Sequence, residues 1–137
     1  MELFNLKDDS DSANFAAAVK KGLGKNQGLY FPKQFPQFDN IEAVLEMPFV
    51  ERSLEILSRL IGDEMSRNDI QSIVENAFVF GAPMAKVTDN VYSLELFHGP
   101  TLAFKDFGGR FMAQVLSVIA KGEPITILTA TSGDTGA

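Results

Sequence analysis

The stretch HGPTLAFKDFGGRFM, residues 98–112, places a lysine beside an aspartate just before a predicted helix. Asp106 is predicted to be the N-cap of this helix, which would run from Phe107 to about Ala120. Lys105 then lies at the positive end of the helix, where the neutral amine is favoured over the ammonium. A neutral amine is what a lysine needs for Schiff-base chemistry. The alternative is an ordinary solvated lysine, because most lysines are exposed.

Small and aromatic residues follow and precede this lysine. Gly108 and Gly109 fall in the first turn of the predicted helix, where each glycine costs about 1 kcal/mol relative to alanine. Residues without a side chain allow a flat ligand to come close to the backbone. The aromatic residues near Lys105 are Phe104, Phe107 and Phe111. Together these residues favour a ligand site at the start of the helix.

A second stretch, TATSGDTGA, continues the β-branched run ITILTAT of residues 125–131. That run is predicted to be a buried strand of a parallel sheet. Hydroxyl and backbone N–H groups in a glycine-rich turn at a strand end suit a carboxylate or phosphate oxygen. Asp134 would instead hydrogen-bond a donor or cap a following helix. A plain strand-to-helix turn remains the alternative. The turn contains Ser132, Gly133, Asp134, Thr135 and Gly136.

Two further features carry less chemistry. His98 is the only histidine and has no visible catalytic partner, so a structural role is favoured over proton transfer. The segment GLGKNQG, residues 22–28, superficially resembles a phosphate loop. It does not fit one, because Lys25 is followed by Asn26 and a helix precedes the segment where a strand is needed.

Composition limits the classes of function. The 137 residues are 45% hydrophobic and 22% charged, as in a globular domain, with a net charge of −6 and scattered basic residues. Nucleic acid is therefore not an expected partner. The absence of cysteine excludes disulfides and thiolate metal sites, and no metal is expected. With no apolar run near ~18 residues and an acidic start, MELFNLKDDSD, no membrane partner is expected and the protein is predicted to be cytoplasmic.

The predicted elements indicate an α/β fold with a mainly helical region over 1–80. Within 81–137, a strand at 91–97, the helix from Phe107 and the buried run at 125–131 form the beginning of a parallel α/β unit. The helix that should follow SGDTGA is missing, so we expect the chain to be the front portion of a longer protein. The elements predicted before residue 80 are strands at 3–6 and in GLYF (28–31), a helix capped by Asn14 or Ser12 and ended by Gly22, and helices starting at Asp39, Pro48 and Ser66.

These motifs resemble a known family. The stretch LELFHGPTLAFKDFGGRFM, followed after one helix and one strand by TATSGDTGA, is similar to the front part of the threonine synthases. The opening FAAAVKKGLGKNQGLYFP resembles the N-terminal segment of the same family. Threonine synthases are pyridoxal-phosphate lyases of the tryptophan-synthase-β-like superfamily. The resemblance implies that 1–80 is the family's N-terminal region and that 81–137 is the first part of the catalytic domain.

The resemblance also implies an activity and roles for individual residues. The activity is conversion of the small molecule O-phospho-L-homoserine and water to L-threonine and phosphate. Lys105 would hold pyridoxal 5'-phosphate covalently and move protons at the substrate's α and β carbons. Ser132, Gly133 and Thr135 would bind the substrate α-carboxylate, and Asp134 would lie near the ring hydroxyl of the cofactor. Much of the superfamily has asparagine at this position. An ionised aspartate only accepts hydrogen bonds, whereas asparagine also donates them.

Two alternatives remain open from the sequence. One keeps the cofactor but changes the substrate, as in a serine/threonine dehydratase or cysteine synthase. The motifs HGPT and SGDTG argue against this alternative. The other is a non-catalytic module whose glycine-rich turn binds an anion or a partner chain. The phosphate-binding loop of the family is not among these residues, so the 137 residues alone are expected to bind the cofactor weakly and to be inactive. The strands that would cover the open side of the run 125–131 are also missing, so self-association is expected as well.

Overall fold

The computed structural model describes residues 1–136. The chain divides into two compact units, Met1–Asn76 and Ala77–Ala137. The sequence places the domain boundary after residue 80. A compact unit is not by itself an independently folding domain, so the domain assignment stays a prediction.

A three-stranded antiparallel sheet lies in the first unit. Strand β1 (Leu3–Asn5) is central and pairs with β2 (Asp8–Ala13) on one side and β3 (Tyr30–Pro32) on the other. The strands predicted at 3–6 and in 28–31 correspond to β1 and β3. The sequence does not predict β2, whose residues DDSDSA have low strand propensity.

Four helices lie within residues 15–77, and local capping residues set their ends. Asn14 Oδ1 accepts a hydrogen bond from Ala17 N at 2.8 Å, and Gly22 ends that helix with φ +72°. Ser66 Oγ accepts from Asp69 N at 3.1 Å. The helices are α1 (Phe15–Lys21), α2 (Ile41–Glu46), α3 (Phe49–Ile61) and α4 (Arg67–Ala77), with short 3-10 turns at Lys25–Gln27 and Gly62–Glu64.

The helix predicted from Asp39 begins two residues later than expected. Asn40, not Asp39, supplies the cap, because its Oδ1 accepts from Ala43 N at 3.0 Å. All four apolar residues of α4 are almost completely buried, so they form its inward face. These residues are Ile70, Ile73, Val74 and Ala77.

A polar cluster around Asp11 attaches the loop 22–28 to the sheet. Asp11 is 7% exposed, and its Oδ2 accepts from Asn5 Nδ2, Lys25 N and Tyr30 Oη, each at 2.9 Å. The hydrogen bond from the Lys25 backbone, followed by that from Asn5, holds the pKa of Asp11 well below its ordinary value. A Cβ at Gly28 would clash with Asn5 Oδ1, so this loop position requires glycine.

The second unit contains an antiparallel hairpin and one long helix. Strand β4 (Met84–Thr88) pairs with β5 (Val91–Leu94), and helix α5 spans Lys105–Ile119. The strand predicted at 91–97 is therefore shorter than expected, and the sequence does not predict β4. Within residues 1–136, no helix has the length and apolar character that crossing a membrane requires.

Residues 125–131 differ from their prediction. They form no strand, and the side chains of Ile127 and Leu128 are 58% and 90% exposed. Both sheets within residues 1–136 are antiparallel and neither contains this run. High β-propensity does not form a strand without a neighbour to accept and donate the ladder hydrogen bonds.

Candidate functional site

The candidate site is centred on Lys105, the first residue of α5. Its side chain is 14% exposed and lines a cavity of about 280 Å³. A lysine that is largely covered and faces a cavity differs from the solvated lysine of the alternative interpretation. The other residues that line this cavity are Asp106, Gly109, Arg110, Ala113 and Thr135.

The glycine-rich turn approaches the same lysine. Asp134 Oδ1 lies 3.8 Å from Lys105 Nζ, and Thr135 lines the cavity that Lys105 lines. Lys105 and Asp134, which are 29 positions apart in sequence, therefore meet at one place. Because Asp134 is 67% exposed, the ion pair itself adds little stability. Its consequence is that an acidic group lies beside the amine.

Thr131 stabilises this turn through its hydroxyl, and the sequence does not predict that role. Its Oγ1 accepts from Gly133 N at 2.9 Å and from Gly136 N at 3.1 Å. Gly133 has φ +133°, a conformation that side chains rarely allow. Two of the N–H groups predicted to face an anion are thus engaged by Thr131, whereas Ser132, in the same turn, is exposed.

Asp106 is not the N-cap, which corrects the sequence prediction. Helix α5 begins at Lys105, with Phe104 in the cap position and Asp106 inside the first turn. Phe104 already has helical backbone angles, so the helix starts two residues earlier than expected. The Asp106 carboxylate instead accepts from the backbone N–H of Thr101 through Oδ2, at 2.8 Å. The Asp106 residue is 6% exposed.

The aromatic residues and glycines near Lys105 take different places. The rings of Phe107 and Phe80 lie 4.9 Å apart, edge to face, and those of Phe111 and Phe78 lie 6.0 Å apart, stacked. Phe104 is 70% exposed. A Cβ at Gly108 or Gly109 would meet no atom within 4 Å in the described part of the chain, so neither glycine relieves a contact there. Their role in admitting a ligand stays a prediction.

His98 has a partner that the sequence analysis missed. Its Nε2 lies 2.8 Å from Glu95 Oε2, three residues earlier. The His98 ring also lies 4.8 Å from that of Phe97. Both contacts are local, which suits the structural role favoured from the sequence. Within residues 1–136, no group of three histidine, aspartate or glutamate side chains is arranged to hold a metal ion.

The described groups support amine chemistry on an acidic small molecule. Lys105 offers a nucleophile and proton carrier at a cavity, and the turn beside it offers hydroxyl donors. Asp134 offers an acceptor next to the amine. A ligand that fits would combine a carbonyl carbon for the lysine with an anionic group for the turn.

Comparisons with known proteins agree on one family. Residues 4–78 match the family model described as "Threonine synthase N terminus". The whole chain is 59% identical to the threonine synthase of Serratia marcescens over 139 residues, which cover 32% of that protein. The chain therefore spans about a third of the length of the curated relatives that it matches.

Solved structures give the same result for the fold. A crystal structure of threonine synthase from Escherichia coli matches 99% of this chain and 32% of its own length, with a TM-score of 0.91 and 58% identity. A threonine synthase from Brucella melitensis, described as bound to pyridoxal phosphate, matches 88% of this chain and 28% of its own length. Its TM-score is 0.77 and its identity 29%. The family model stops at residue 78, but these two matches extend over most of the second unit.

Proposed function

The chain belongs to the threonine synthase family, and on that premise we propose that it forms the N-terminal third of a threonine synthase. The complete enzyme would convert O-phospho-L-homoserine and water to L-threonine and phosphate. In this reaction the phosphate leaves Cγ, Cγ gains a proton, Cβ loses a proton, and the hydroxyl from water is added at Cβ. Residues 81–137 would begin a catalytic domain with a parallel sheet.

The observation that carries this proposal is the meeting of two motifs at one cavity. Lys105 is covered on most sides, Asp134 lies beside its amine, and Thr135 lines the same cavity. A solvated lysine and an unrelated strand-to-helix turn would have no reason to share a cavity. An amine beside donors for an anion suits a carbonyl cofactor held by the lysine and a substrate carboxylate held by the turn.

The residues present fit pyridoxal phosphate, which the relative from Brucella melitensis is described as binding. Lys105 Nζ would hold the cofactor covalently, and Asp134 would lie near its ring hydroxyl. The cavity beside the amine is lined by Gly109 and Ala113. Glycine has no side chain and alanine has only a methyl group, so the two residues leave room for a planar group. When bound, the cofactor supplies an electron sink that stabilises negative charge at the substrate carbons.

The chain's own residues would bind the substrate and move its protons. Ser132 and Thr135 would donate their hydroxyls to the substrate α-carboxylate. Gly133 would contribute a backbone contact once its N–H exchanges Thr131 Oγ1 for the carboxylate. The amine of Lys105 would take and return protons at the α and β carbons.

The first prediction locates the cofactor on the full-length enzyme. Borohydride reduction of the holoenzyme should fix the cofactor to Lys105, because this lysine alone faces the cavity beside the glycine-rich turn within residues 1–136. Peptide mapping by mass spectrometry would identify the labelled residue. Lys105→Ala should lower turnover by at least about 10³-fold while leaving the circular dichroism spectrum unchanged.

Two lysines of the same unit provide the control for this experiment. Lys86 is 55% exposed and pairs with Asp89, and Lys121 follows α5. Lys86→Ala should keep full activity and full labelling. A label on Lys86 or Lys121, with Lys105 unmodified, would show that the proposed function assigns the wrong lysine.

A further inference from the structure

We propose that Asp106 is a positioning residue that fixes the turn Gly99–Leu102 against the start of α5 and thereby holds Lys105 at its cavity. This inference rests on the proposed function, because it gives Lys105 the role stated above. The sequence predicts Asp106 as an ordinary cap. The structure gives its carboxylate a different partner, one that precedes the helix.

The first observation is the burial of the Asp106 carboxylate and its hydrogen bond to the turn. Asp106 is 6% exposed, and its Oδ2 accepts from the Thr101 N–H at 2.8 Å. Burying a carboxylate costs free energy unless it is hydrogen-bonded, and bonds to an ionised acceptor are stronger than neutral ones. The bond joins the turn to the residue that directly follows Lys105.

A second contact shows that the turn and the carboxylate fit each other closely. Gly99 is buried, and a Cβ at this position would clash with Asp106 Oδ2. The same Cβ would lie 2.7 Å from Asp106 Cβ and 2.7 Å from Phe80 Cζ. Phe80 in turn packs edge to face on Phe107, the residue after Asp106. The turn is thus held between Asp106 and Phe80.

The backbone of this segment explains why such an anchor is needed. Leu102 has φ +57°, a left-handed conformation that costs a branched residue free energy, yet its side chain is 74% exposed. A strained residue persists only when the structure around it fixes its conformation. Leu102 N donates to Gly99 O at 3.0 Å, so the strain and the Asp106 contacts belong to one turn.

The consequence concerns the position of the Lys105 amine. The chain runs from this turn through two residues to Lys105, so a loosened turn would let the first turn of α5 shift or fray. A displacement of about 1 Å at a reacting group can cost 100-fold in rate. Asp106 would therefore affect turnover through the position of the Lys105 amine.

The test compares Asp106→Ala with Asp106→Asn in the full-length protein. Asparagine keeps an oxygen that can accept from Thr101 N, whereas alanine does not. In the cofactor-free protein, we expect hydrogen exchange at the Thr101 amide to speed up about tenfold or more in Asp106→Ala. In Asp106→Asn it should stay within about threefold of the wild type. These amide rates do not depend on activity.

Kinetics of the holoenzyme give the second readout. Asp106→Ala should lower kcat by about 100-fold with KM within about threefold, and Asp106→Asn should restore most of kcat. Asp89→Ala removes a carboxylate that is 97% exposed in the same unit and should leave both constants unchanged. Should Asp106→Ala fail to fold, Gly99→Ala displaces the turn from an intact carboxylate and should give the same loss in kcat.

Unchanged Thr101 exchange in Asp106→Ala would overturn the proposal, as would equal losses of kcat in the alanine and asparagine variants. The second result would mean that the charge matters and the hydrogen bond does not. A failure of the proposed function is distinguishable, because wild-type Lys105 would then carry no borohydride label whatever the amide rates show.

Discussion

Thr135 is the residue of the glycine-rich turn that we propose as the main contact for a substrate carboxylate. It lines the cavity with Lys105, whereas two N–H groups of the turn donate to Thr131. We therefore expect the Thr135 hydroxyl, rather than these N–H groups, to donate to a substrate carboxylate. Binding of the cofactor should depend on Lys105 instead, so the two residues separate substrate binding from cofactor binding.

Thr135→Val tests this separation in the full-length enzyme. Valine keeps the branched shape but loses the hydroxyl, and a hydrogen bond to a charged group is worth about 1.5–3 kcal/mol. We therefore expect KM for O-phosphohomoserine to rise about tenfold or more while the cofactor absorbance per subunit stays the same. Thr88→Val, in strand β4, is the matched control and should change neither quantity. Loss of cofactor at constant KM would contradict the assignment.

At the scale of elements, the Asp11 cluster determines how well the first sheet holds the loop 22–28. Its carboxylate accepts from Asn5, Lys25 and Tyr30, and these bonds favour the ionised form. The pKa of Asp11 is therefore lowered on folding. Its contribution to stability is present above its ordinary value of 3.8 and is lost as the pH falls below that value.

Asp11→Asn tests this linkage through the melting temperature of the full-length protein. At neutral pH we expect the variant to melt lower by roughly 5 °C or more, because the asparagine amide cannot accept from the three donors as the carboxylate does. The difference from the wild type should shrink as the pH is lowered toward 3. Asp9→Asn, an exposed neighbour in β2, should have little effect at any pH. A difference that grows at acid pH would refute the linkage.

The elements also show what could be predicted from the sequence. Helix α1 was predictable because Asn14 and Gly22 are local signals for its start and end. Strand β2 was not, because its charged residues form a strand only when β1 pairs with them. The run 125–131 is the opposite case, because a strand is predicted there and none is found. Its residues have high strand propensity, but they have no neighbouring strand within the described residues.

The candidate site also contains residues that the sequence predicts and contacts that it does not predict. Lys105 and the turn Ser132–Thr135 were predictable from residue types and from a family resemblance. The contacts of Asp106 and Thr131 were not, because each depends on how the backbone turns between elements. The exact start of α5 decided whether Asp106 capped the helix or anchored the preceding turn. A shift of two residues in a helix start is enough to change the role of a side chain.

At the scale of the whole molecule, the second unit exposes many large apolar side chains. Such side chains are normally covered in a folded monomer when they lie close together. The matched relatives are about three times as long as this chain, which leaves ample polypeptide in a complete enzyme to cover them. The most exposed ones are Met84, Leu102, Phe104 and Leu128.

The 137 residues on their own should therefore self-associate and be inactive. Exposed strand-forming residues such as those at 125–131 pair readily with other chains. Without the rest of the enzyme, the cofactor phosphate would also lack charge-assisted hydrogen bonds worth about 1.5–3 kcal/mol each. Sedimentation velocity over a wide range of concentrations should show a rising average mass, and the fragment should bind pyridoxal phosphate weakly.

Two lysine substitutions identify the surface that associates. Leu128→Lys places a charge on the most exposed large apolar side chain and should shift the fragment toward monomer. Leu23→Lys, which changes an exposed leucine of the first unit, should not. Joining residues 1–137 to the remaining two thirds of the Escherichia coli relative should restore both cofactor binding and turnover, because the two chains share 58% identity over this region. A monomeric fragment that converts O-phosphohomoserine to threonine unaided would show that the second unit needs no further chain to cover it.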